Sequence, residues 1–141
     1  MCEKTTISNL FSGLILSPAY PHSYKLSSPK PCYLTINVPA NHYIEITIDY
    51  FSIVKSQKCI SDYLNIQEYI DVKLRDQGVK RQWKTIGTLC GRKEPGLVLV
   101  AKSDTVSFTF RSFNGSSLSA SDNLKFKIYF QGQSCFFFYY F

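Results

Sequence analysis

Four segments of the chain alternate strictly between apolar and polar residues. Leu34, Ile36 and Val38 form the first apolar row, and the same period of two recurs in residues 43–49, 105–111 and 124–130, where aromatic or β-branched residues fill most of the apolar positions. Because successive side chains of a β-strand point to opposite faces of a sheet, each segment predicts a strand with one apolar face. Strands of this kind are typical of antiparallel sheets that pack one face on the core and expose the other face to solvent.

A further region predicts a long hairpin. Residues 70–74 alternate, although apolar residues there also recur at the spacing of a helical face. A turn signal follows at residues 76–78, so we expect one strand to end near Arg75 and a second to return through Trp83 to Leu89.

These elements together predict an all-β fold. Polar turns rich in Pro, Gly and Ser separate the alternating segments, and no βαβ rhythm is present. The length of 141 residues suits one domain with a single core, and aromatic residues make up 16% of it. The sequence therefore predicts a two-sheet antiparallel β-sandwich.

Charge and cysteine usage narrow the class of protein. The net charge of +6 favours polyanionic partners without choosing among nucleic acid, acidic glycan and anionic lipid. Five cysteines are dispersed without a C-x-x-C pair, so they lack zinc spacing. Two disulfides in an oxidising compartment explain them better than five free thiols in the cytosol, and the cysteines alone leave the connectivity open.

Nothing in the chain has the pattern of a catalytic site. Motifs of zinc proteases, serine hydrolases and phosphate-binding loops are missing, and His22 and His42 both lie in predicted surface turns. A Ser-His-Asp arrangement needs a positioned base, which neither histidine offers. We therefore predict a non-catalytic protein that needs no cofactor.

A series of short motifs resembles the CUB domain family. In chain order the motifs are "SGLILSPAYPHSY" (residues 12–24), "CYLTINVP" (32–39), "IEITIDYFSI" (44–53), "CISDYLNI" (59–66), "LCG" (89–91), "VSFTFRS" (106–112) and "FKIYF" (126–130). Leu34 stands where the family usually has tryptophan. Each motif is short, but their order and spacing together are specific, and they cover nearly all of residues 2–131.

The resemblance implies a jelly-roll-like sandwich of two antiparallel sheets. It also implies disulfides between Cys2 and Cys32 and between Cys59 and Cys90, which leaves Cys135 as a free thiol or an intermolecular partner. We expect a single domain over residues 1–131, with an aromatic tail at 132–141 outside it.

A subset of the family binds Ca²⁺ at one end of the sandwich. Tyr24 and Asp62 match two positions of that subset, whereas Val54 and Phe113 replace its glutamate and its second aspartate. Ca²⁺ requires six to eight oxygen ligands, several of them carboxylates. We therefore predict an incomplete site that binds no metal, with Tyr24 and Asp62 as its remnants and Asp62 in a structural role. Asp122 in the serine-rich loop is a further carboxylate, but nothing in the sequence requires it to act as a calcium ligand.

The stretch between the third and fourth cysteines is longer than in most of the family. The excess forms an elongated hairpin around residues 68–85, which is either a solvated surface element or a contact element. "VKRQWK" places the cations Lys80, Arg81 and Lys84 around Trp83, the only tryptophan. Basic and aromatic residues together suit an acidic glycan or an acidic protein surface.

Two other features bear on the compartment. Asn114 begins an Asn-Gly-Ser sequon in a polar loop, which predicts a glycan if the chain is secreted. Residues 9–16 make only a weak signal peptide, and no stretch of about 20 apolar residues predicts a membrane span. We expect a fragment of a larger secreted or cell-surface protein.

The resemblance implies a module for extracellular protein–protein interaction. Two alternatives stay open: a glycan- or heparin-binding domain of the spermadhesin kind, and a non-catalytic part of an extracellular protease. Nucleic acid is disfavoured as a partner because disulfides indicate the wrong compartment.

Overall fold

The computed structural model describes residues 5–24, 28–113 and 123–134, which form ten β-strands. The strands are β1 Thr5–Ser8, β2 Ser12–Leu16, β3 Cys32–Asn37, β4 His42–Ser52, β5 Asp62–Leu74, β6 Gly78–Leu89, β7 Arg92–Lys93, β8 Leu97–Ala101, β9 Thr105–Ser112 and β10 Lys125–Ser134, with one 3₁₀ turn at Gln57–Cys59 between β4 and β5. The predicted all-β fold is confirmed.

The strands form two sheets of five. The first sheet has the order β1-β3-β9-β5-β6, and the second has the order β2-β10-β4-β7, with β8 also pairing to β4. The edge pair β1–β3 is parallel, whereas the other pairings between described strands are antiparallel. The sandwich that the alternating segments predict is therefore built from both sheets.

The apolar rows of the alternating segments meet between the two sheets. Phe110 of the first sheet packs edge-on against Phe126 of the second, with 5.1 Å between ring centroids. The fully buried side chains around this contact come from both sheets: Ile36, Ile44, Ile46, Ile48, Leu64, Ile66, Phe108 and Ile128. Burial of so much apolar surface is the main stabilising contribution to the fold.

The predicted hairpin is present at the edge of the first sheet. Strands β5 and β6 pair from Leu64–Leu89 to Leu74–Gly78, and Gly78 adopts a φ of +78°, which favours glycine after the turn. On its other side β5 pairs with β9 only as far as Glu68. Residues 69–85 therefore project past β9 as a two-stranded element, called the ribbon below.

The last strand is longer than predicted. β10 continues to Ser134, which pairs with His42, so residues 132–134 belong to the second sheet. The domain boundary at residue 131 stays a prediction. The polar "QGQS" stretch carries no alternation, and it is held by hydrogen bonds to β4 instead of by apolar packing. The aromatic residues 135–141 lie outside the described residues.

A disulfide joins Cys59, at the end of the 3₁₀ turn, to Cys90, just after β6. This pairing is the one that the family resemblance implies. Cys32 is also disulfide-bonded. The predicted pairing of Cys32 with Cys2, and the state of Cys135, involve residues outside the described ranges and stay predictions.

Candidate functional site

The end of the sandwich that holds the predicted calcium remnants is built from four chain segments. Asp62 begins β5 and lies directly opposite Ser112, the last residue of β9. Val54 follows β4, and Tyr24 precedes a short stretch outside the described residues. The sheet register therefore brings the two remnants, Tyr24 and Asp62, to the same end.

Asp62 is completely buried and held by its neighbours. The Ser61 hydroxyl donates a hydrogen bond of 2.8 Å to Asp62 Oδ2, and the Ser61 amide in turn donates to Ser56 Oγ at 3.0 Å. A buried carboxylate is tolerated only where hydrogen bonds replace water. These contacts fit the structural role predicted for Asp62.

Tyr24 is buried beside it. The amide of Val54 donates to the Tyr24 hydroxyl at 3.4 Å, and the Tyr24 ring packs edge-on against Phe110 with 5.2 Å between centroids. Burial raises the pKa of the Tyr24 hydroxyl, the Ser112 side chain and the Val54 amide offset part of that rise, and the charge of Asp62 adds to it. Ser112 Oγ is buried close enough to Tyr24 to lower this pKa, but its geometry does not meet that of a regular hydrogen bond to any described residue.

Among the described residues at this end, the two that replace the subset's carboxylates offer Ca²⁺ no side-chain oxygen. Val54 is buried and offers no side-chain oxygen, and Phe113, where the calcium-binding subset has an aspartate, lies with its ring 5.5 Å from the guanidinium of Arg111. A cation already lies beside the position of the missing carboxylate, so a second cation would be repelled there. Asp122 lies outside the described residues.

The ribbon divides the basic cluster predicted from "VKRQWK" between two faces. Arg81 and Trp83 lie on the outer face, opposite Asp71 and Tyr69 of β5. Lys80 and Lys84 pair with Val72 and Glu68, and so lie on the inner face, which continues the core side of the sheet. Lys80 and Lys84 thus lie on the face opposite Trp83, because neighbouring residues of a strand point to opposite faces. The binding role of Lys80, Arg81, Trp83 and Lys84 stays a prediction.

The outer face of the ribbon carries an ordered ladder of four side chains. Tyr69 stacks on Trp83 with 4.8 Å between centroids and an interplanar angle of 24°, and the Arg81 guanidinium lies 4.4 Å from the Tyr69 ring centroid. Arg81 Nε also lies 3.1 Å from Asp71 Oδ1. We call Trp83, Tyr69, Arg81 and Asp71 the ladder. All but Tyr69 are exposed, with 41% of Trp83 accessible.

Tyr69 and Asp71 are the two ladder residues that sequence reasoning missed. The predicted turn at 76–78 contained the necessary signal, since a hairpin closed there places Tyr69 opposite Trp83 and Asp71 opposite Arg81. Working outward from the turn would have found both residues.

The base of the ribbon is fastened to the turn between β8 and β9. The Lys102 amide donates to Oε2 of the buried Glu68 at 2.7 Å, and the Ser103 hydroxyl donates to the Tyr69 carbonyl at 2.6 Å. A groove of about 300 Å³ opens beside these contacts. Polar side chains that line it come from the ribbon and from two turns: Asn41, His42, Asp71, Arg81, Ser103 and Asp104.

Other predicted features are placed as follows. His22 is exposed, and His42 hydrogen-bonds through Nδ1 to the Ala40 carbonyl at 3.0 Å. Asn114, the predicted glycosylation position, lies outside the described residues and stays a prediction. Among the described residues, no helix has the length and apolar character needed to cross a membrane.

Comparison with known proteins identifies a domain family and individual proteins that this chain resembles. A sequence model of the CUB domain family matches residues 2–130. Human cubilin is 29% identical over 126 residues, covering 84% of this chain and 3% of cubilin, and mouse tolloid-like protein 2 is 32% identical over 87 residues, covering 62% and 8%. The chain thus spans less than a tenth of the curated relatives it matches.

A solved structure of a CUB domain also has a similar fold. The CUB2 domain of MASP-1, in a crystal structure described as bound to Ca²⁺, superposes with a TM-score of 0.65 at 25% identity, covering 92% of this chain and 99% of that one. The similarity therefore extends over almost the whole of an isolated domain.

Proposed function

The chain belongs to the CUB domain family, and on that premise we propose that it is an extracellular module that binds another protein through the ladder, without calcium. CUB domains are in general non-catalytic interaction modules. The Cys59–Cys90 disulfide supports an oxidising compartment, because such bonds are rare in the cytosol.

The observation that carries the proposal is the order of the ladder before any partner arrives. Trp, Tyr and Arg are the residues that dominate binding energy at protein interfaces. Here the Tyr69 ring contacts both the Trp83 ring and the Arg81 guanidinium, so little side-chain freedom is left to lose on binding. Asp71 holds Arg81 in place and adds a carboxylate that directs polar contacts.

Recognition at the ladder is independent of calcium for two reasons. The ladder lies on the ribbon, at the end of β5 away from Asp62. In addition, Val54 and Phe113 supply no ligand to a metal ion. A partner of this chain thus meets an aromatic and cationic surface of the protein itself.

The test measures binding of the disulfide-bonded chain to arrayed extracellular domains of other proteins. We expect saturable binding to at least one domain, weakened at least about tenfold by Trp83→Ala or Arg81→Ala. Lys80→Ala is the matched control, since it removes a cation from the opposite face of the same strand. Loss of binding in EDTA, or equal losses from Lys80→Ala and Arg81→Ala, would refute the proposal.

A second candidate function, binding of an acidic glycan, is favoured by the charge of the ribbon. Residues 69–85 hold five cationic and two acidic residues, a net charge of +3, which is half that of the whole chain. Polyanions are attracted to such clusters in a salt-dependent way. Elution from immobilised heparin well above physiological salt, lowered by a Lys80→Ala/Lys84→Ala variant, supports this function, and elution near physiological salt argues against it.

The absence of catalysis and the nature of the parent protein are parts of the same proposal. A chain that is the non-catalytic part of an extracellular protease has a protease domain encoded next to it. The adjoining coding sequence tests that alternative directly.

A further inference from the structure

Neither outer edge of the ribbon has a strand beside it in the part of the chain that the structure describes, because β6 ends the strand order of its sheet. The edge on the β5 side begins where β9 ends. β5 pairs with β6 along its whole ribbon portion, but its pairing with β9 ends at Glu68. The Tyr69 carbonyl on that edge accepts from Ser103, and β5 then continues for five residues to Leu74. An unpaired edge of this length is a template for another strand.

Alternation along the strand fixes which backbone groups the edge offers. The Tyr69 carbonyl points away from β6, so the amides and carbonyls of Asp71 and Lys73 point the same way. Asp71 and Lys73 lie opposite Arg81 and Val79 of β6. In these two pairs the backbone groups do not bond to β6 and point away from it. In the part of the chain that the structure describes, no backbone group bonds to the amides and carbonyls of Asp71 and Lys73 at this edge.

The sequence of this edge is complementary to itself. Reading "IDVKL" outward from Val72 pairs Asp71 with Lys73 and Ile70 with Leu74. In an antiparallel pair, opposite charges directly across from each other and apolar pairs on one face each stabilise the sheet.

We propose that the chain forms a two-fold symmetric dimer in which the β5 edges of two copies pair antiparallel about Val72. Asp71 of each copy exchanges backbone hydrogen bonds with Lys73 of the other, and the two Val72 side chains meet at the axis. The contact is isologous, so it closes at two copies. This inference does not rest on the proposed function, because it uses the backbone edge of β5, although Asp71 of that edge also belongs to the ladder.

The groove at the base of the ribbon lies next to the end of this pairing. With the axis at Val72, residues 70–74 of the two copies pair, and the turn after Leu74 of the second copy comes beside Ser103 and Asp104, which line the groove. Arg75 of that turn and Asp104 carry opposite charges. The inner rows of Ile70, Val72 and Leu74 from both copies then form one apolar strip, of which Leu74 is 36% exposed in the single chain.

The experiment uses reciprocal charge variants and sedimentation of the full disulfide-bonded chain, from about 1 µM to about 1 mM, a range that brackets weak dimers. We expect the unmodified chain to associate reversibly. Lys73→Asp alone places two acids opposite each other, and Asp71→Lys alone places two lysines opposite each other, so each variant alone associates about tenfold more weakly. An equimolar mixture of the two variants restores association, because both cross-strand pairs become complementary in the mixed dimer.

The mixture makes the result independent of folding defects, since a misfolded variant cannot be rescued by another. Non-reducing electrophoresis identifies any disulfide-linked dimer formed through Cys135. Samples that contain such a dimer are left out of the comparison. The proposal is overturned if the unmodified chain is monomeric throughout, if the single variants associate as tightly as it does, or if the mixture stays as weak as its components. A monomer would leave the edge for an extended segment of a different protein.

Discussion

Asp62 lies directly opposite Ser112 across the β5–β9 pair, and both side chains are fully buried. Asp62 receives a hydrogen bond from the Ser61 hydroxyl, whereas Ser112 Oγ makes no regular hydrogen bond to any described residue. The carboxylate at the family's metal position is thus tied into the protein's own hydrogen bonds.

The first prediction concerns this carboxylate. Asp62→Ala removes a buried carboxylate together with the hydrogen bond that it accepts from the Ser61 hydroxyl, so we expect the free energy of unfolding to fall by about 1–3 kcal/mol. Asp62→Asn keeps an acceptor oxygen and should lose less. Urea denaturation followed by circular dichroism measures both. Addition of millimolar Ca²⁺ or of EDTA should leave the unfolding midpoint of the unmodified chain unchanged, and a calcium-dependent rise that Asp62→Ala abolishes would contradict us.

The second prediction is a pH dependence that comes from Tyr24. Its folded pKa is raised above the ordinary value of 10.0, mainly by burial. Below that value the hydroxyl is protonated in both states, and its contribution to stability is fully present. As the pH rises through the folded pKa, the unfolded chain releases the proton more readily and the contribution is lost.

Stability should therefore decline above about pH 10 in the unmodified chain. Tyr24→Phe flattens this decline and lowers stability at neutral pH by about 1 kcal/mol, because the Val54 amide loses its acceptor. Tyr33→Phe is the matched control, since Tyr33 is 42% exposed. Equal pH slopes for Tyr24→Phe and the unmodified chain would count against this reasoning.

The third prediction concerns the anchor of the ribbon. Glu68→Ala removes the acceptor of the Lys102 amide, so we expect faster hydrogen exchange at the β5 amides beyond Glu68 and a loss of about 1–3 kcal/mol in unfolding free energy. Glu94→Ala, a change at an exposed position, is the control and should alter neither. Unchanged exchange in the ribbon after Glu68→Ala would show that the anchor lies elsewhere.

The fourth prediction concerns the Cys59–Cys90 bridge. These cysteines are separated by 31 residues, a loop for which the chain-entropy estimate gives about 3–4 kcal/mol of stabilisation. Replacing both with serine should lower the unfolding free energy by about that amount and leave the disulfide of Cys32 as the remaining target of added reductant. A variant as stable as the oxidised parent would show that the bridge does not constrain the unfolded chain.

Sequence reasoning succeeded where one period governs a whole segment. The alternation in residues 43–49 and 124–130 predicts both the strands and their buried rows, because a single face must meet the core. It failed at residues 132–134, where hydrogen bonds to β4 hold a polar strand that has no apolar row. Partners that lie across a sheet, such as Asp62 and Ser112, depend on a register that the local pattern does not contain.

The sequence likewise predicts only part of the candidate site. The cations and Trp83 of the ribbon could be identified from their types, but their faces could not be assigned until the hairpin register was fixed. Glu68 gave no signal at all, since a buried glutamate in an alternating strand looks like any other polar residue until its acceptor role toward Lys102 is visible.

Among the described residues, hydrogen bonds to Glu68 and Tyr69 fasten the base of the ribbon to the turn between β8 and β9. The number of residues in the ribbon can therefore change without altering the sandwich. It matters, however, whether each strand changes by an even or an odd number of residues. Adding or removing two residues from each strand keeps every side chain on its face, whereas a change of one residue on each strand exchanges the two faces of everything beyond it. Insertions here can thus vary reach while preserving what the ribbon displays, provided that they come in even steps.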